Sequence, residues 1–168
     1  MGAGKILILI GALITIASTF FLTFFVHVGD VYAFGLGFAF NIPDIFQNAE
    51  ANYAVPMGTE MMVVYILAIV YIVFLISGVL QLVGLASRAV AIIGSILPIV
   101  VALLIILIVQ FGILDGMYNY TRLFWHQSIV DGYFPFDLAL GNVSLGTYTL
   151  LAGGVLGLIG GIMGTSDF

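Results

Sequence analysis

Residues 89–113 read AVAIIGSILPIVVALLIILIVQFGI, a stretch without one Asp, Glu, Lys, Arg or His. A helix rises about 1.5 Å per residue, so roughly 20 apolar residues cross the ~30 Å of hydrocarbon in a bilayer. This run is long enough with residues to spare. Three more runs, 6–28, 61–86 and 144–164, carry no acid, no Lys or Arg and no mid-span His. Lipid offers no water to unpaired backbone groups, so each run is expected to be helical. The expectation is an all-α membrane protein with one domain, 1–168. It would be a four-transmembrane-helix bundle with outer loops at 29–60 and 114–143 and a small extracellular β-sheet built from those loops.

Composition narrows the function. With 63% hydrophobic and 7% charged residues over 168 positions, four spans use most of the chain and leave no room for a soluble domain. A net charge of −5 argues against nucleic acid as a partner, and zero cysteines exclude disulfides and thiolate metal sites. Pumps, proton-coupled carriers and voltage sensors keep ionisable groups inside the bilayer, where each costs several kcal/mol. These spans keep none, so transport ranks low.

The few charges orient the chain. Lys5 precedes the first span and Arg88 sits between the second and third, which places both termini and that turn in the cytoplasm of a cell membrane. The outer loops then hold Asp30, Asp44, Glu50, Glu60, Asp115, Asp131 and Asp137 against Arg122, leaving Asp167 inside. Two sequons, at Asn119 and Asn142, fall at or within the second outer loop and are candidate glycosylation sites. The first run exceeds the ~7–15-residue core of a signal peptide and is expected to remain as a span.

Small residues at helical spacing mark the packing faces. Thr149, Gly153, Gly157, Gly161 and Thr165 recur every four residues on the fourth span, and Gly11, Thr15, Thr19 and Thr23 form a stripe on the first. Such faces let helices approach closely, within one bundle or between protomers.

The outer loops alternate large and small residues. Tyr32-Ala33-Phe34-Gly35-Leu36-Gly37-Phe38-Ala39-Phe40 does so strictly, and Phe134–Gly141 and Tyr53–Met57 repeat the pattern. Period-two alternation predicts strands with one bulky face. Tyr32, Phe34, Phe38 and Phe40 of the first loop, with Phe136, Leu138 and Leu140 of the second, are the residues expected to build the outer sheet through which the chain associates. Residues 42–51 and 117–130 are expected to form short helices at the surface.

Chemistry-bearing constellations are thin. His27 with Asp30, and His126 with Asp131 or Asp137, are pairs where a zinc site wants three or four ligands. No positioned base accompanies a candidate nucleophile, and no mid-span histidines face each other as haem ligands would. No catalytic residue, metal or cofactor is therefore assigned.

The order of long first outer loop, tight inner turn, inner termini and strands from both outer loops resembles the claudin and peripheral-myelin-protein tetraspan family across the whole chain. Within the first loop the likeness is confined to Gly35-Leu36-Gly37 and Phe38. The tryptophans and cysteine pair of that family's first loop are not present here, and Trp125 stands in the second loop instead. The resemblance implies adhesion or strand-like polymerisation through an outer sheet, with no functional residue carried over. Two functions follow as expectations. The first is a non-enzymatic structural or adhesion protein that self-associates through its outer strands and small-residue helix faces. The second is an accessory packing subunit of a larger membrane complex. The partners expected are the lipid bilayer and either copies of the chain or other membrane subunits.

Overall fold

The computed structural model describes residues 1–164; Thr165 and Asp167, assigned above to the inner end, lie outside them. The chain is mostly helical: α1 (Ala3–Phe21), α2 (Gly35–Gln47), α3 (Val55–Met57), α4 (Met61–Leu75), α5 (Ser77–Val83), α6 (Arg88–Ile105) and α7 (Leu145–Met163). Among the described residues, three helices are long and apolar enough to cross a membrane: Ala3–Phe21, Arg88–Gln110 and Leu145–Met163. The number rises to four if Ala49–Met57 and Met61–Leu75, bent by 97° at their junction, count as one span.

The run 61–86 forms two helices with a one-residue break. Ile76 keeps helical torsions, and its backbone N–H reaches Ile72 O at 3.4 Å while Leu80 N–H reaches Ile76 O at 2.9 Å. The hydrogen-bonded path therefore continues from α4 into α5. A tight turn at 84–87 then reverses the chain into α6. Helix α1 packs on α7 and α5, and α6 packs on the same two helices, so the four close into a ring. Glycine makes the α1–α7 approach possible. A Cβ on Gly11 would strike the backbone of Gly153 and Gly157, and one on Gly160 would strike Gly4 and Ile8.

The first apolar run is not helical to its end. Helix α1 stops at Phe21, and Phe25–Val28 form strand β1. Aromatic and β-branched residues dominate 24–28 and suit a pleated surface, and apolarity alone does not separate strand from helix. The two-residue turn Gly29-Asp30, with Gly29 at φ 58°, folds β1 onto β2 (Val31–Ala33). Strand β3 (Trp125–Gln127), from the loop 114–143, pairs with β2, giving the order β1-β2-β3, all antiparallel.

A small sheet joining the two long loops thus exists, but mostly through residues other than those expected. Of the alternating stretch 32–40, only Tyr32 and Ala33 are in a strand. From Gly35 the chain is helix α2, because Gly35 and Gly37 seat that helix against its neighbours. A Cβ on Gly35 would meet Thr19 O, and one on Gly37 would meet His126 Cβ and Phe124 O. The small residues serve close approach of a helix rather than the bare face of a sheet. Phe34 and Phe38 become fully buried at i, i+4 spacing, while Phe40 is left exposed. Helix α2 also runs earlier than the predicted 42–51, with Pro43 in its interior.

The second loop is corrected in the same way. Residues 117–130 do not form one helix: Asp115–Phe124 is a 3₁₀ helix, and strand β3 follows it directly. Phe136 does not pair with the first loop. Its backbone bonds Phe21 O and Thr23 N–H at the end of α1. Leu138 lies outside any strand, and Leu140 belongs to a separate hairpin, β4 (Ala139–Leu140) with β5 (Val143–Ser144). Tyr53–Met57 is helical as well, the end of a π-helical turn at Ala49–Ala54 followed by α3.

Residues 22–60 and 111–144 form a cap at one end of the helices, and an aromatic cluster ties it to them. Phe124 stands within ring contact of Phe24 (5.8 Å between centroids), Phe38 (5.6 Å), Tyr71 (4.4 Å) and Phe74 (6.0 Å). Such pairs contribute about 0.5–1.5 kcal/mol each beyond burial.

Candidate functional site

The small-residue faces lie inside the protomer. Gly11, Thr15, Thr19, Gly153, Gly157 and Gly161 are all buried. A Cβ on Gly153 would meet Thr15 Oγ1, and one on Gly157 would meet Ser95 Oγ and the Gln81 amide. Ser18 Oγ donates to Ile14 O at 2.7 Å and lies 2.6 Å from Thr149 Oγ1, which links α1 to α7 through hydroxyls. The Gln81 amide Nε2 reaches Gly94 O across the α5–α6 contact at 3.4 Å. These faces are consumed in holding four helices together.

Two amide side chains, Asn41 and Gln110, fix the cap to its base. The Asn41 amide donates to Leu123 O (3.1 Å) and Trp125 O (2.9 Å), clamping α2 to the segment that enters β3. Gln110 Oε1 accepts from the backbone of Asn142 (2.9 Å) and Val143 (3.3 Å), which holds the β4–β5 turn over the end of the Arg88–Gln110 helix. Asn142 in that turn and Asn119 in the 3₁₀ helix are both exposed. Nothing in an alternation pattern marks an amide that bonds carbonyls more than eighty positions away.

The cap also builds an open pocket of about 510 Å³ from well-separated segments of the chain. Strand β1 supplies His27, α2 supplies Asp44, the π-helical turn supplies Asn52 and Tyr53, the 3₁₀ helix supplies Arg122, and β3 supplies Trp125. Arg122 is fixed at its base: Nε donates to Asn52 O at 2.9 Å, and the guanidinium carbon stands 5.5 Å from the Trp125 ring centroid. Asp44 accepts from Asn48 Nδ2 (2.7 Å) and Asn52 Nδ2 (3.1 Å). Those hydrogen bonds, from Asn48 first, hold its carboxyl below the usual carboxylate range. Among the described residues neither Arg122 nor Asp44 forms an ion pair, although they line the same pocket.

The histidines find partners other than the acids beside them in sequence. His27 stacks on Trp125 and its Nδ1 lies 2.8 Å from the Tyr118 hydroxyl, and His126 Nδ1 lies 2.7 Å from Gln127 O. Burial, and then the Arg122 charge, push the His27 pKa below its ordinary value, so Arg122 is the cation of the pocket at neutral pH. Burial and the neighbouring Asp44 raise the Tyr53 hydroxyl pKa and keep it protonated. No group of three His, Cys, Asp or Glu side chains that could hold a metal ion occurs among the described residues. Comparison of the chain with protein-family models, with curated proteins and with solved structures finds no match.

Proposed function

We propose that the chain is a non-catalytic structural protein of a cell membrane, spanning it four times and self-associating through its outer cap. In this reading α1, α4 continued by α5, α6 and α7 are the spans, with the termini and the 84–87 turn in the cytoplasm. Support for the second span comes from the helical path through Ile76, because 61–83 together reach about 34 Å at 1.5 Å per residue. Lys5 and Arg88 at one end, and seven carboxylates in the loops at the other, support the orientation.

The observation that carries self-association is the division of apolar side chains on the cap. It buries Phe24, Phe34, Phe38 and Phe124 completely, yet leaves Val28 67% and Val55 69% exposed, with Phe40, Phe46 and Tyr133 also outward. Outward apolar side chains on a cap whose own core is complete support a contact surface there. In this reading the glycine faces serve packing within the protomer and the contact between protomers is through the cap. This is the adhesion or polymerisation role that the claudin-like arrangement implies.

Native mass spectrometry of the chain released gently from its own membrane tests the proposal. Multiples of 18.0 kDa, collapsing to the monomer in Val28→Asp and Val55→Asp variants, are the expected result. Stoichiometric unlike chains would replace it with the accessory-subunit role.

A further inference from the structure

We propose that the cap pocket binds a small dipolar ligand, its anionic oxyacid end on the Arg122 guanidinium and its ammonium end on the Asp44 carboxylate. Opposite charges that share a pocket ordinarily close on each other, and these two do not. Arg122 is anchored through Nε to Asn52 O and by the Trp125 ring, so its outer N–H groups stay presented to the pocket. Asp44 is anchored from its own side by Asn48, Asn52 and the Tyr53 hydroxyl, and its two carboxylate oxygens keep acceptor capacity. A simple anion would face Asp44 and a simple cation would face Arg122. Only a ligand carrying both signs is neutralised at each end, and the planar guanidinium suits a two-oxygen carboxylate or phosphate. About 510 Å³ accommodates an α-amino acid or an ethanolamine phosphate group with room to spare. This reading is independent of self-association, because it concerns the interior of one cap.

The test uses the full chain in nanodiscs of phosphatidylglycerol, reading the emission of Trp125, the chain's only tryptophan and a wall of the pocket. Probes are L-alanine and phosphoethanolamine, with acetate and ethylammonium as single-charge controls. Saturable binding of a dipolar probe, about tenfold or more tighter than either control, is expected. Arg122→Gln and the near-isosteric Asp44→Asn should each weaken it by a similar factor. Preference for alanine identifies a free amino acid as the source. Preference for phosphoethanolamine, competed by phosphatidylethanolamine in the disc, identifies a lipid headgroup. Acetate binding as tightly as both dipolar probes, or neither dipolar probe saturating at millimolar concentration, overturns the proposal. The comparison of probes on the native chain decides this even where a variant does not fold.

Discussion

The imidazole of His27 lies flat on the indole of Trp125, ring centroids 3.6 Å apart and planes 15° from parallel. The contact joins the end of the first apolar run to strand β3 of the second long loop, across the sheet that unites them. Burial and the nearby Arg122 charge lower the His27 pKa from 6.5.

That shift makes the cap sensitive to acid. An unfolded chain takes up this proton at an ordinary histidine pKa and the folded chain only at lower pH, so between the two the unfolded state binds more protons. The stability that His27 contributes is present above about pH 6.5 and is lost as pH falls through that window. Thermal unfolding followed by Trp125 emission should show a midpoint that drops on acidification from neutral. His27→Gln should flatten the slope assigned to this group, and an unchanged slope in the variant would place the sensitivity elsewhere.

Gly153 on α7 should tolerate no side chain. A Cβ at Gly153 meets Thr15 Oγ1 and the Gly11 carbonyl oxygen, and backbone cannot step aside as a flexible side chain would. Gly153→Leu is expected to destabilise the helical ring by at least about 1–3 kcal/mol, the usual range for forced overpacking. Detergent-solubilised protein should unfold at lower temperature as a monomer. A variant that unfolds normally but fails to assemble would instead place this face between protomers.

The helical part of the fold was legible because charge-free length has one main solution in lipid, and the runs 89–113 and 144–164 correspond closely to Arg88–Gln110 and Leu145–Met163. The cap was less legible because alternation has two physical causes. In 32–40 the small residues permit helix α2 to sit on Thr19 and Phe124, which imitates the period of a strand. Trp125–Gln127, the strand that joins the loops, shows no alternation long enough to detect, and its place is set by Asn41 and by pairing with β2. The pocket was invisible for a related reason: Asp44 and Arg122 are brought together by the fold and share no sequence motif.

Asn41 supplies a sharper test of that tertiary control. Its amide satisfies two carbonyls on the segment that enters β3, and Asn41→Ala leaves both without that donor. Loss of such bonds costs about 1–3 kcal/mol where the acceptor stays away from water. Hydrogen exchange should accelerate in 123–127 well before it does in α7. Equal protection in variant and parent would show that the strand pairing alone holds the segment.

Orientation rests on few charges, and the absence of cysteine from the chain gives a clean way to read it. Ser128 follows β3 in the cap, and Ser87 precedes α6 in the tight turn beside Arg88. Both positions are partly exposed, so a single cysteine at either is reachable from its own side of the membrane. In intact cells a membrane-impermeant maleimide should label Ser128→Cys at once and Ser87→Cys only after lysis. The reverse pattern would invert the protein and place the seven loop carboxylates and the Arg122 pocket in the cytoplasm. The helical ring and the cap would be unchanged by that inversion, since both are held by packing. The dipolar ligand would then have to come from the cell interior, so the labelling result also decides which side supplies the pocket.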